Sequence, residues 1–326
     1  MRKYGCLIMV LVLCACGPRG GKTTAPAPAV REFPQVEVPA MYTDAADRVR
    51  WAAGRFWDRF TDTSAVYACD SVTVNGVPAD AVESQMGMFA TLLGQLPLDE
   101  GGKAVARLYD RVDAFERKYP ETNVFEEICR LTKRYLYDPN SPVRNEDLYL
   151  SFVEKLGQSD LIDNGYRMGY EWDARMCRLN RMGTPAADFS FTDTRGRVRT
   201  LYGVKAEYTV LIFGNPGCNA CQEIMHAMAS TPEISALIDE GRLQVVDIYI
   251  DQEIDDWKAH IPEYPAAWIN GYDHNYTIRT DLLYNVRGIP SIYLLDRDKT
   301  VLMKDAVQEK VLTALMNLQG VFPFKP

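Results

Sequence analysis

The chain has 326 residues with 44 acidic and 36 basic side chains, a formal charge of −8. A chain this acidic lacks the clustered Lys/Arg footprint of a nucleic-acid binder, so that class of partner is excluded. Its length and its 47% hydrophobic content allow two separate cores, and two domains are expected.

At the N-terminus, Arg2 and Lys3 precede the apolar stretch "CLIMVLVLCA". That is the layout of a secretory signal, with an apolar core too short to span a bilayer as a helix. The ending "LCAC" resembles the lipobox of bacterial lipoproteins: Leu13, then the small Cys14 and Ala15, then the acceptor Cys16. The resemblance implies a signal peptide and lipobox over 1–16, cleavage before Cys16 as the mature N-terminus, and acyl chains on that cysteine. The mature protein is then tethered to the membrane in the cell envelope, facing the periplasm. An ordinary cleaved signal peptide, the alternative, also places the protein outside the cytoplasm. No later run is long and apolar enough for a second membrane segment.

Residues 17–40 contain five prolines and few large apolar groups, which predicts a stiff, extended linker. From 41 to 181 the spacing is helical. Thr43 or Asp44 is the expected N-cap of a first helix carrying Val49, Ala52, Phe56 and Phe60 at intervals of three to four. Val82, Met86, Phe89 and Leu93 repeat the pattern, as do Ala104, Leu108, Val112 and Phe115 before Pro120 ends it. Further helical segments over 122–137, 146–157 and 160–181 complete an expected all-α helical domain of five or six helices, its aromatic and Met content read as core. The segment "YLYDPNSPVRNEDLY" (135–149) resembles the signature of an N-terminal helical domain of unknown function that precedes a thioredoxin-like domain in bacterial lipoproteins. Within it "DPNSP" predicts a turn between helices, because Pro139 and Pro142 push Asp138 and Ser141 out of the helical region.

The period changes near Met182. "GTPAADFSFTDTRGRVRTL" predicts a β-hairpin, "YTVLIFGN" a buried strand and the segment after Cys221 a helix broken at Pro232. "LQVVDIYID" is another strand, 252–270 an irregular and partly helical insertion, "GIPSIYLLD" and "TVLMKD" a strand pair, and "AVQEKVLTALMNL" a closing helix. The order predicts an α/β thioredoxin fold with an N-terminal hairpin extension over 182–326.

Cys218 and Cys221, in "GNPGCNAC", directly follow the buried strand. A structural zinc ion needs about four ligands. The three histidines, His226, His260 and His274, do not supply a second pair, and the remaining mature cysteines lie in the helical domain, so no metal and no cofactor are expected. A peroxidatic cysteine of the peroxiredoxin type expects threonine where Asn215 stands. A structural disulfide is not excluded by spacing. Position favours electron exchange, since Cys218 falls where a strand ends and a helix begins, and the positive helix end stabilises a thiolate. Ile289-Pro290, in "GIPS", matches the cis-proline loop of thioredoxins, where a cis bond turns the Ile289 backbone toward the cysteines.

The pieces "LIFGNPGCNAC", "DIYID" and "GIPSIYLLDRDKTVL" resemble the TlpA/ResA-like periplasmic thioredoxins. The resemblance implies Cys218 as attacking thiolate, Cys221 as resolving thiol and Pro290 as substrate platform. It also departs from the family: Pro216-Gly217 stands where tryptophan commonly precedes the first cysteine, and Asn219-Ala220 lacks the usual proline. Ile212 stands where a buried acid commonly sits. Asp247, alone among Val245, Val246, Ile248 and Ile250, is the candidate substitute, the alternative being a carboxylate at a strand edge or facing solvent. Glu223 reads as a helix-start charge and His226 as a surface residue. Cys69, Cys129 and Cys177 are an odd number, and no role is assigned to them.

The function expected is a tethered thiol–disulfide oxidoreductase that reduces or exchanges disulfides of envelope proteins. Its partners are protein thiols and disulfides and a membrane electron donor. The alternative is a non-catalytic assembly lipoprotein with the thioredoxin fold as adaptor, which would have no use for both thiols.

Overall fold

Asp44 opens the first helix, α1 (Ala45–Arg55), its carboxylate accepting from the N–H groups of Ala46 and Asp47. The structure is a computed structural model that describes residues 30–318; the signal stretch, Cys16 and the first part of the linker lie outside the described residues. After α1 comes a small hairpin, β1 (Thr73–Val74) and β2 (Val77–Pro78). Then follow α2 (Ala79–Leu93), α3 (Leu98–Lys118), α4 (Val124–Leu136), α5 (Glu146–Leu156) and α6 (Asn164–Cys177). The spaced apolar residues of α2 and α3 are the buried ones: Met86, Val112 and Phe115 are fully covered. Each such side chain contributes roughly 1.5–3 kcal/mol by leaving water.

Two expectations for this half are corrected. It is not all-α, because Asn75 and Gly76 take positive φ (48° and 78°) and close β1 onto β2. The Asn-Gly pair is a strong hairpin signal, masked here by flanking strands only two residues long. The stiff, extended spacer also does not run undocked up to Ala40. Phe33 is buried, stacked on Phe60 at 5.3 Å and edge-on to Trp57 at 5.3 Å. The Arg31 N–H donates to the Gly76 carbonyl at 2.8 Å. One large aromatic group was enough to dock a segment whose prolines read as extended.

The second half contains β3 (Ser190–Asp193), β4 (Val198–Thr200), β5 (Tyr208–Gly214), α7 (Asn219–Ser230), α8 (Pro232–Asp239), β6 (Leu243–Tyr249) and α9 (Ile254–His260). These are followed by β7 (Ile269–Tyr272), α10 (Thr277–Thr280), β8 (Ser291–Leu295), β9 (Val301–Met303) and α11 (Gln308–Asn317). One seven-stranded mixed sheet runs in the order β4-β3-β7-β6-β5-β8-β9, with β5, β6 and β7 parallel. An apolar core covers each face: Phe189, Phe213 and Tyr284 are on one side, and Ile224, Met228 and Val311 on the other.

The insertion is more regular than its sequence suggests. It ends in β7, which joins the hairpin to the central strands. Gly271 lies inside this strand. A Cβ there would sit 2.6 Å from the Phe191 ring and 2.8 Å from the Thr192 carbonyl, so only glycine lets β3 approach. Among the described residues no helix is long and apolar enough to cross a membrane.

Candidate functional site

The turn after β5 positions the cysteines. The Asn215 side chain accepts from the Gly217 N–H at 3.0 Å and donates to Asp251 at 3.0 Å, which fixes the start of α7. Cys218 is the N-cap of that helix, and its sulfur accepts from the Cys221 N–H at 3.2 Å. This is the contact through which a helix end stabilises a thiolate. On its other side the Cys218 thiol reaches the Ile289 carbonyl at 3.6 Å. The Ile289-Pro290 bond is cis. Sequence-distant residues Cys218, Cys221, Ile289 and Pro290 therefore meet in one place. Cys218 is half-buried, while Cys221 is buried. Burial, and then the contact with Cys218, push the Cys221 thiol well above the ordinary thiol range.

Asp247 lies beneath this pair. It pairs in register with Ile212 on the adjoining parallel strand, so it faces α7 from the neighbouring strand to the position where an acid was expected. The solvent-facing alternative does not hold: Asp247 is only 6% exposed. Gly214 makes the room, since a Cβ there would stand 2.9 Å from Asp247 Oδ1. Loss of hydration pushes this carboxyl from 3.8 up to about 7. A cavity of 10 Å³ adjoins it, lined by Asn215, Cys221, Asp247, Glu263 and Tyr264 among others, with room for about one water. Glu263 and Tyr264 come from the insertion, and sequence reading missed both because nothing local ties them to the cysteines. Burial raises the Tyr264 phenol, and the charges of Asp247 and Cys221 add to that.

The other candidates lie elsewhere. His226 and Glu223 are exposed on α7. Cys129 and Cys177 are buried with their thiols pushed far up by burial, which makes them inert core groups. Cys69 accepts from the Asn75 N–H at 3.3 Å. Among the described residues no group of three or more His, Cys, Asp or Glu is placed to hold a metal ion.

The loop that carries Ile289 is wired to the helical half. Arg287 Nε donates to Glu146 at 2.8 Å and its Nη2 donates to Asp305 at 2.8 Å. The Asn285 amide donates to Glu146 at 3.1 Å, and Lys304 pairs with the same carboxylate at 2.9 Å. Ser291, just after Pro290, donates to Asp305 at 2.8 Å. Arg144 donates to the Asp305 carbonyl at 2.9 Å. Burial raises the Asp305 carboxyl, with Glu146 adding to the effect, and the facing Arg144 and Arg287 oppose it.

A mixed sheet with a Cys-x-x-Cys pair at the start of a helix, set against a cis-proline loop, is a thioredoxin-like fold. One similar solved structure agrees. A thioredoxin-like protein from Bacteroides caccae is 33% identical, with 89% of this chain and 99% of that one covered and a TM-score of 0.76. At that identity and coverage, the chain belongs to the same family of thioredoxin-like proteins. The C-terminal domain of an uncharacterized protein from Bacteroides fragilis is 44% identical, covering 42% of this chain and 97% of that one, with a TM-score of 0.41. A conserved protein of unknown function from Bacteroides fragilis is 34% identical, covering 41% of this chain and 98% of that one, with a TM-score of 0.41. Residues 17–177 match a domain of unknown function, DUF5106. That match begins ahead of residue 41, where the helical domain was expected to start, and so takes in the linker. No curated protein matches the chain.

Proposed function

We propose that the protein is a thiol–disulfide oxidoreductase of the TlpA/ResA-like kind that reduces or exchanges disulfides of envelope proteins. The observation that carries this reading is the Cys218 sulfur, held between the Cys221 N–H at 3.2 Å and the Ile289 carbonyl at 3.6 Å. In that place a client chain extended along Ile289 presents its disulfide to the sulfur. The Cys218 thiolate attacks one client sulfur, forms a mixed disulfide and releases the other client sulfur as a thiolate, which takes up a proton. Cys221 then loses its proton toward Asp247 and attacks the Cys218 sulfur. The second client thiol leaves, and the protein is left with a Cys218–Cys221 disulfide. Two electrons have passed to the client.

Asp247 suits the acceptor role because its carboxyl titrates near 7 and lines the same small cavity as Cys221. Restoring the dithiol takes two electrons from a donor, which outside the cytoplasm implies a membrane partner. Acylation at Cys16 would hold the protein beside that partner in the envelope. Cys16→Ala should then leave the membrane fraction; a variant that still sediments with membranes after a salt wash contradicts the anchor. Insulin reduction with dithiothreitol as donor tests the activity. Turnover that requires both cysteines supports it, and none at all favours the adaptor reading.

A further inference from the structure

We propose that the turn over 138–142, which lies within the residues that match DUF5106, and the start of α5 after it position the client-binding loop, acting through Pro139 and Glu146. This deepens the oxidoreductase reading and rests on it. The segment between α10 and β8 (281–290) has no regular structure of its own, yet Ile289 within it must hold a fixed distance to Cys218. A connection of this kind is mobile unless something outside it holds it.

What holds it is the helical half. Glu146, the first residue of α5, is only 2% exposed, a costly place for a carboxylate without partners. Its partners are Asn285, Arg287 and Lys304, all from the sheet half. Two of them lie in the loop itself, four and two residues before Ile289. Asp305 completes the clamp by holding Arg287 on one side of the Ile289-Pro290 pair and Ser291 on the other. The turn also comes close to the loop: a Cβ on Gly288 would lie 3.0 Å from Pro139 Cβ. Pro139 and Glu146 both belong to the stretch 135–149 singled out in the sequence. Its rigid turn is built by Asp138 accepting from the Asn140 N–H at 2.8 Å and Ser141 donating to the Tyr135 carbonyl at 2.6 Å. The turn is thus fixed on the helical side and bears on the loop from the residue next to Ile289.

The consequence separates two kinds of substrate. A polypeptide client needs the Ile289 backbone in register for its own hydrogen bonds, and small displacements weaken these steeply. A small disulfide needs only the Cys218 sulfur. The test uses the full chain, with insulin as the polypeptide disulfide and 5,5′-dithiobis(2-nitrobenzoate) as the small one. Gly288→Ala presses a methyl group against Pro139 without touching a charge. It should raise KM for insulin about fivefold while the rate with the small disulfide stays within about twofold. Pro139→Gly alone removes the ring that bears on the loop and should likewise raise KM for insulin while the rate with the small disulfide stays within about twofold. Equal slowing of both substrates, or an unchanged KM for insulin in either variant, overturns the proposal.

Limited trypsin cleavage reads the clamp with no redox chemistry, so a failed activity and a failed clamp are distinguishable. Arg287 is held by Glu146 and Asp305, so Glu146→Gln should speed cleavage after Arg287 about tenfold and leave cleavage after the exposed Arg195 unchanged. Equal cleavage after Arg287 in the two proteins overturns the clamp whatever the activity.

Discussion

Asp247→Asn isolates the cost of keeping an acid beneath the cysteines. The native carboxyl titrates near 7 against an ordinary value of 3.8, and the cause is lost hydration alone. Between these values the native state holds a proton that the unfolded chain has released. Stability is therefore full below about pH 4 and falls as pH rises through 7. At 1.36 kcal/mol per pH unit, the three-unit gap amounts to about 4 kcal/mol above pH 8. Asparagine has the same shape and does not ionise. Relative to the native protein, the variant should gain about 2–3 kcal/mol more at pH 8 than at pH 5. Urea unfolding at both pH values, with the cysteines kept reduced, measures the difference. A stability change equal at pH 5 and pH 8 refutes the reasoning, because it means Asp247 is ionised at both. The same substitution removes the proton acceptor from the resolving step, and release of the mixed disulfide should slow about a hundredfold at neutral pH.

Three other outcomes follow from the same geometry. At mildly acidic pH iodoacetamide should label Cys218 first, because Cys221 is buried and its thiol is held protonated; mass spectrometry of the digested chain reads the order, and equal labelling contradicts it. Asn219-Ala220 places no histidine or charge between the cysteines, so the pair should equilibrate with glutathione buffers at roughly −200 mV or below. A value near the −120 mV of a strong oxidant would reverse the direction of the reaction. Phe33→Ala should cost about 3 kcal/mol in urea unfolding, since the ring sits among Phe56, Trp57 and Phe60; a change under about 0.5 kcal/mol would restore the extended-spacer reading.

The sequence carried the local order well and the long-range placements poorly. The helices of the first half were legible because Val82, Met86, Phe89 and Leu93 repeat at the helical period and are the buried face of α2. The cysteine pair and "GIPS" were legible because each is a compact motif between strong strand signals. Asp247 was visible as a lone acid in an apolar strand, but its direction was not, since the Ile212 register and the vacancy left by Gly214 are properties of paired strands. β7 was missed because it is short and its Gly271 serves packing against Phe191, a contact no local pattern records. The link from Glu146 to Arg287 spans 141 positions and joins two halves, and no periodicity records it.

The central claim is that Cys218 attacks and Cys221 resolves, and trapping tests it most directly. Cys221→Ser leaves the half-buried attacking sulfur at the helix end and removes the thiol that releases the client. Expressed in cells and separated without reductant, it should accumulate mixed disulfides with several client proteins, while Cys218→Ser accumulates few. Equal trapping by the two variants, or none by either, contradicts the account.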